Sequence, residues 1–407
     1  MIKSRLDHLT FRGNLRETRH GWLRLTPAYS VHLVSELLPS AAARGERVLD
    51  PFCGTGTTAL VCAERGLAAD TTDINPFLVW LARVKTRRYS AAEVARFDEL
   101  AATLERTLAA RPRRREATFV PALHQIEKWW DESSLDALSR TLAEVKALEQ
   151  RESTGVVDLL KVLFCQTLIA SANVSFGHQS MSFAKAKTRT PSEQSANAVR
   201  AWRTAAHKIA HGAASRLGRL PRVAHCDARE LERHFDGPRF TRVITSPPYP
   251  NRMSYVRELR PYMYWLGYLA DGRAAGELDW RAIGGTWGTA TSRVARWEPG
   301  ADERVPFRGF SKLIERIGET SPVLARYVHK YFCDMTRHCQ SVAALLKPAG
   351  SVHYIVGNSK FYDVVVPVER LFAALFRAAG LKNATVRVIR KRSSKRELFE
   401  FLVSAHK

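Results

Sequence analysis

The chain has 407 residues, 45% of them hydrophobic and 25% charged, the balance of a folded globular protein and not of a disordered one. Lysine and arginine number 63 against 40 aspartates and glutamates, a formal net charge of +23, which favours a polyanionic partner such as nucleic acid. No apolar run reaches the roughly 18 residues of a membrane span, and the opening "MIKSRLDHLTFRGNLRETRHGWLRL" has no signal-peptide core, so a cytoplasmic protein without membrane contact is expected.

In chain order, "GERVLDPFCGTGTTALVCAERG" opens with a short strand ending at Leu49, passes through a glycine turn and becomes helical from about Thr57. "LAADTTDINPFLVWLARVKT" gives a second strand ending near Thr72, then Asp73, then a helix from about Pro76, where proline suits a first turn. Two strand-loop-helix units in succession predict an α/β fold with a Rossmann-like, doubly wound, mostly parallel sheet and ligands at the carboxyl ends of its strands. After Ser90 the apolar spacing is helical for a long way. This stretch carries the basic knot "RPRRRE" and a segment in which Lys185, Lys187 and Arg189 stand among serines and threonines able to reach phosphates.

The sheet pattern resumes in "LPRVAHCDAREL", a strand leading to Asp227, and in "RFTRVITSPPY". Between Asp271 and about Thr320 the segment around "GGTWGTATSRVARW" fits neither a regular helix nor a long strand; Trp287, Arg293, Arg296 and Trp297 there are types able to reach bases. "ALLKPAGSVHYIVGNS" reads as helix, turn and strand, and "ATVRVIRKRSSKRELFEFLVSAHK" as a closing antiparallel hairpin with a basic turn. The expected organisation is a cofactor-binding half (1–90), a helical insertion suited to DNA binding or target recognition (91–220), a catalytic half (221–270), a second, smaller insertion also suited to target recognition (271–334), and the last part of the sheet (335–407). The six cysteines are scattered without a paired framework, as reduced thiols would be. Cys333, His338 and Cys339 share a helical pattern but have no second ligand pair, so no metal site is expected.

Gly54 and Gly56 allow a tight turn that brings backbone close to a ligand, and the helix that follows offers its positive end. No lysine followed by Ser or Thr comes after the last glycine, as a phosphate-binding loop needs, and the spacing is not GxGxxG. Asp73, about twenty residues on, is placed to accept from ribose hydroxyls. Asp227, at a third strand end, is placed to accept from an adenine amino group.

Together "DPFCGTGTT", "DINP" and "TSPPY" resemble the signature set of the amino-directed, S-adenosylmethionine-dependent DNA methyltransferases. "SPPY" is most similar to the cytosine-N4 enzymes, whereas "DPPY" and "NPPY" are more usual in adenine-N6 enzymes. The resemblance implies S-adenosyl-L-methionine held by Asp50, Pro51, Phe52, Cys53, Gly54, Gly56, Thr57, Asp73, Ile74 and Asp227. "RLTPAYSVHLVSELL" is similar to the family's cofactor-flanking segment, so Thr26, Pro27 and Tyr29 would touch the methionine part. It also implies catalytic roles for Ser246, Pro247, Pro248 and Tyr249, and duplex DNA contacts from Asn251, Arg252 and Tyr255, with a cognate restriction endonuclease as companion.

The chemistry agrees with that resemblance. An exocyclic amine is a poor nucleophile because its lone pair is delocalised into the ring. Two acceptors aimed at its hydrogens, the Ser246 hydroxyl and the Pro247 carbonyl, would localise that pair, with the prolines fixing the carbonyl's direction. Tyr249 would stack on a base taken out of the duplex. An adenine-N6 or RNA base methyltransferase is the first alternative, and an inactive nucleic-acid-binding subunit the second.

Overall fold

The computed structural model describes residues 9–24, 28–39, 45–110, 119–175, 182–183, 191–252, 254–286, 289–301, 303–392 and 397–407. Its strands are β1 (Arg47–Asp50), β2 (Ala68–Asp73), β3 (Val174–Ser175), β4 (Ser182–Phe183), β5 (Arg222–His225), β6 (Phe240–Thr245), β7 (Leu346–Gly357), β8 (Ser359–Phe361), β9 (Val364–Val366), β10 (Lys382–Lys391) and β11 (Phe399–His406). Seven of them form one sheet in the order β10-β11-β7-β6-β1-β2-β5. Neighbours are parallel from β5 across to β7, and only β11 runs against both of its neighbours. The expected doubly wound sheet with its closing antiparallel hairpin is therefore the architecture of the chain.

Side-chain alternation explains why both faces are covered. Val48, Ile244, Ile355 and Leu402 join one cluster with helices Val31–Leu37 and Thr57–Glu64. Their neighbours Leu49, Val243, Tyr354, Val356, Phe401 and Val403 join another, beneath helices Pro322–Leu345 and Val368–Ala378. The strand order reverses at β1, which has β2 on one side and β6 on the other. At such a switch point the connecting loops diverge and leave a crevice at the carboxyl ends.

Helices begin where the sequence supplies a cap. The Asn75 side chain accepts from Phe77 N ahead of Pro76–Thr86, with proline in the first turn. Ser90 and Glu93 form a reciprocal capping box at the start of Ala91–Ala109. That helix, with Glu132–Leu148, Thr154–Ala170 and Pro191–Ala214, builds the helical insertion, whose apolar faces share one cluster with Phe77, Leu81 and Val84 of the cofactor side and with Met263 and Trp265. The insertion is thus packed onto the sheet domain's own helices.

Two expectations change. The segment after Asp271 was expected to be irregular, yet it holds helices Gly272–Arg281, Thr289–Arg296 and Phe310–Gly318; Asp271 caps the first by accepting from Ala274 N at 2.8 Å. The helical insertion also contains the small antiparallel pair β3 and β4. Among the described residues no helix is long and apolar enough to cross a membrane.

One guanidinium ties three parts of this architecture. Arg19 is fully buried and donates to the carbonyls of Gly212, Ala213 and Ser215 at the end of helix Pro191–Ala214. It also donates to those of Lys85 and Arg87 at the end of Pro76–Thr86. Both helix ends carry negative partial charge, and a forked cation satisfies several carbonyls at once. Arg19→Met should destabilise the protein by at least about 3 kcal/mol in urea unfolding, since each carbonyl left buried without a donor costs about 1–3 kcal/mol. Arg19→Lys, with three donors in place of five, should restore only part of the loss; an Arg19→Met protein as stable as wild type would refute the tie.

Candidate functional site

The crevice at the switch point is lined from four strand ends and three helices. The loop after β1 contributes Pro51, Phe52, Cys53, Gly54 and Thr55, and the end of β2 contributes Asp73, Ile74 and Asn75. Asp227 and Ala228 follow β5, and Ser246 and Pro248 follow β6. Ala28 and Tyr29 also line it, as do Tyr255, Val256, Glu258 and Leu259 of helix Tyr255–Trp265. Leu278, Arg281, Ala282 and Ile283 come from the second insertion, a contribution that no sequence motif marks.

The glycine loop has its shape because Gly54 (φ 51°) and Gly56 (φ 77°) adopt left-handed backbone. A Cβ on Gly56 would also stand 3.2 Å from Ala82 Cβ. The carboxylate of Asp73 accepts from Gly54 N and Asn75 N, both at 2.9 Å. Each oxygen thereby retains acceptor capacity toward the cleft. Burial pushes the Asp73 carboxyl up to about 6, against the pull of those two amides. Asp227 is held by Arg229, whose Nε and Nη2 reach it at 3.0 and 2.6 Å. Burial alone would raise its pKa, but the Arg229 hydrogen bonds and charge outweigh it and hold Asp227 below the usual carboxylate value.

Asp50, Gly56 and Thr57, expected to touch the cofactor, do not line the cleft. Asp50 is 1% exposed and lies behind the loop, accepting from Thr245 Oγ1 at 2.6 Å, Tyr29 OH at 3.0 Å and Phe52 N at 3.1 Å. It is a brace between β1, β6 and the amino-terminal segment. Thr57 is buried, its hydroxyl 3.1 Å from that of Thr55. Thr26 and Pro27, and Lys185, Lys187, Arg189 and Trp287, lie outside the described residues.

At the proline corner, Ser246 Oγ donates to Ile355 O at 3.0 Å, the shorter of its two contacts, with the Tyr249 hydroxyl 3.4 Å away. Its single proton is thus committed and its lone pairs are left to accept. Tyr331 OH donates to Pro248 O at 2.7 Å, whereas Pro247 O has no donor among the described residues. Tyr255 OH accepts from Tyr249 N at 3.1 Å, and Tyr327 OH accepts from Arg252 N at 3.2 Å. Three tyrosine hydroxyls therefore fix the backbone from Pro248 to Arg252. Asn251 N donates to Tyr249 O at 2.8 Å, and the Arg252 side chain is exposed, with its backbone left-handed (φ 59°). The Tyr249 hydroxyl donates to Glu400 at 3.0 Å, and the Arg392 guanidinium lies 5.0 Å from the Tyr249 ring centre. Neither Pro247 nor Tyr249 is among the cleft-lining residues.

Below the cleft, burial lowers His338 to about 4, so its ring is neutral. One nitrogen bonds Ala228 O and the other Tyr354 OH, both at 2.7 Å. Since Ala228 O can only accept, Nδ1 carries the proton and Tyr354 donates to Nε2. Neither nitrogen is left for a metal, and among the described residues no group of three His, Cys, Asp or Glu side chains could hold one.

Lys85 is buried with its Nζ on Thr55 O at 3.1 Å and His20 O at 3.2 Å, under the glycine loop. Burial pulls its pKa from 10.5 down to about 7. Between those values the unfolded chain binds the proton and the folded one does not, so this group makes stability rise with pH from about 7 to 10. Thermal unfolding across that range should show wild type gaining on Lys85→Met as pH increases. Parallel curves for the two proteins would refute the assignment.

Comparison with known proteins adds the following. Residues 31–174 match the family described as D12 class N6 adenine-specific DNA methyltransferase. Type II methyltransferase M.AvaI of Nostoc sp. is 27% identical over 95 residues, 22% of this chain and 20% of that protein. Type II methyltransferase M.BsoBI of Geobacillus stearothermophilus is 32% identical over 69 residues, 17% of this chain and 14% of that protein. This chain thus spans about a fifth or less of the length of the curated relatives it matches. A solved rRNA methyltransferase, aviRa from Streptomyces viridochromogenes, aligns over 98% of this chain and 96% of its own at 12% identity, but with a TM-score of 0.30 it carries no argument. Over residues 31–174 the chain is similar to the D12-class amino-methyltransferases, enzymes whose cofactor is S-adenosyl-L-methionine.

Proposed function

We propose that this protein transfers a methyl group from S-adenosyl-L-methionine to the exocyclic N4 amine of a cytosine extruded from duplex DNA. The observation that carries the proposal is the division of labour at the corner: Tyr331 occupies Pro248 O, while Pro247 O and the Ser246 lone pairs are left as acceptors. Ser246 and Pro247 both follow the carboxyl end of β6, and Ser246 lines the cleft together with the glycine loop. An amine that donates one hydrogen to each is held with its lone pair directed away from both. Bound S-adenosyl-L-methionine supplies an electrophilic methyl on a sulfonium centre. Asp73 would hold the ribose and Asp227 the adenine amino group. The protein's share is alignment of the two reactants, which contributes several kcal/mol.

The D12 description favours adenine N6 as a second reading, but its match ends at residue 174, ahead of the corner that grips the amine. The family description names DNA as what its members methylate, and the net charge of +23 supports the same partner. The Type II names of the relatives are the support for a cognate restriction endonuclease. Segments 91–220 and 271–334 are the proposed places for target reading.

Incubation with labelled S-adenosyl-L-methionine and mixed duplex DNA, followed by digestion to nucleosides, should yield label in N4-methyl-2′-deoxycytidine. N6-methyl-2′-deoxyadenosine would establish the second reading, and unlabelled DNA would refute both. Ser246→Ala should lower kcat about 100-fold or more, as loss of a group acting on the reacting atoms does, with cofactor binding retained. Tyr331→Phe should lower kcat without changing the KM for cofactor; an unchanged kcat would remove the corner geometry as the basis of the proposal. Cofactor affinity should fall as pH drops below about 6, where Asp73 gains its proton. A flat affinity between pH 5 and 7.5 would take Asp73 out of the cofactor site.

A further inference from the structure

Strands β8 and β9 form a hairpin that leaves the sheet directly after β7. Because β6 and β7 are parallel neighbours, with Thr245 opposite Tyr354, the hairpin rises from the same edge as the proline corner. Its base is fixed: Phe361 is 7% exposed, and Val366 is fully buried. The Phe361 ring lies 6.1 Å from that of Tyr327, the residue whose hydroxyl holds Arg252 N.

The register pairs Phe361 with Val364, leaving Tyr362 and Asp363 as a two-residue turn. Tyr362 has φ 52° and is 60% exposed. The first central position of such a turn, when left-handed, ordinarily takes glycine, because a side chain there is strained. This chain places a large aromatic instead, and its exposure shows little return in packing. Strain kept at an exposed tip beside a reactive site points to a use for the side chain itself. Lys360 Nζ, 3.8 Å from Asp363 and 2.8 Å from Glu397, partly offsets the acid next to it.

We propose that Tyr362 is a wedge that enters the duplex beside the extruded base and stacks on the bases left behind. The proposal rests on the reading of Ser246 to Tyr249 as a base-amine site. Extrusion leaves the neighbouring bases and the orphaned partner unstacked, and an aromatic ring inserted there recovers stacking. The hairpin's fixed base and projecting tip suit that insertion.

The test compares wild type, Tyr362→Gly and Tyr362→Phe for label transfer from S-adenosyl-L-methionine to mixed duplex DNA and to the same DNA heat-denatured to single strands, with thermal unfolding of each protein. Tyr362→Gly should be at least as stable as wild type, because glycine suits the turn. It should nevertheless lose about tenfold or more in kcat/KM on duplex, the scale of one lost base-aromatic stack. Tyr362→Phe should retain duplex activity, and the loss on single strands should be absent or smaller, since no stack is opened there. Tyr362→Gly with wild-type activity on duplex would overturn the wedge while leaving the methyltransferase proposal intact. Wild type inert on every form of DNA would overturn that underlying proposal instead.

Discussion

The carboxylate of Asp50 is the constraint on which the site depends. It is nearly inaccessible to water and its pKa is raised by burial, so it persists there only because donors surround it. Those donors come from the end of β6 through Thr245, from the amino-terminal segment through Tyr29, and from the glycine loop through Phe52 N. A buried acid satisfied from three directions fixes the three segments relative to one another. The glycine loop and the proline corner thereby acquire a common frame.

A second layer of positioning lies outside the sheet. The backbone from Pro248 to Arg252 has little regular hydrogen bonding of its own, and the hydroxyls of Tyr255, Tyr327 and Tyr331 supply what it lacks. Tyr327 and Tyr331 stand one turn apart on helix Pro322–Leu345, so they present hydroxyls on the same face. Each side chain is long and stiff, with few rotatable bonds to order, and so can set a loop's direction at small entropic cost. The consequence is selective: the Pro248 carbonyl is engaged, and that of Pro247 has no donor among the described residues.

Much of this was legible in the chain because the relevant demands are local. Gly54 and Gly56 reveal themselves by the backbone they permit, the two prolines by the backbone they forbid, and Asn75 before Pro76 by the cap it makes. The strands showed as short apolar runs, such as Val48 and Leu49 or Val243 and Ile244, whose successive residues enter clusters on opposite faces of the sheet. Other features gave no local signal. Arg19 satisfies carbonyls almost two hundred residues away, and any basic residue in a charged amino-terminal stretch looks the same in sequence. The helices after Asp271 were masked by glycines and tryptophans at their boundaries, although the Asp271 cap was present. Asp50 sits within a motif that points to the cofactor, yet its neighbours turn it inward.

The sequence by itself determined the strand-loop-helix units of the sheet, the glycine turn, the proline corner and the acids at the strand ends, since each follows from backbone limits or periodicity within a few residues. Tertiary structure alone decided which of those acids lines the cleft and which braces the core. It also decided which proline carbonyl is left as an acceptor, and that a tyrosine at a hairpin tip stands on the edge where the corner opens. Those outcomes depend on partners far apart in the chain, brought together by burial and by the reversal of strand order at β1.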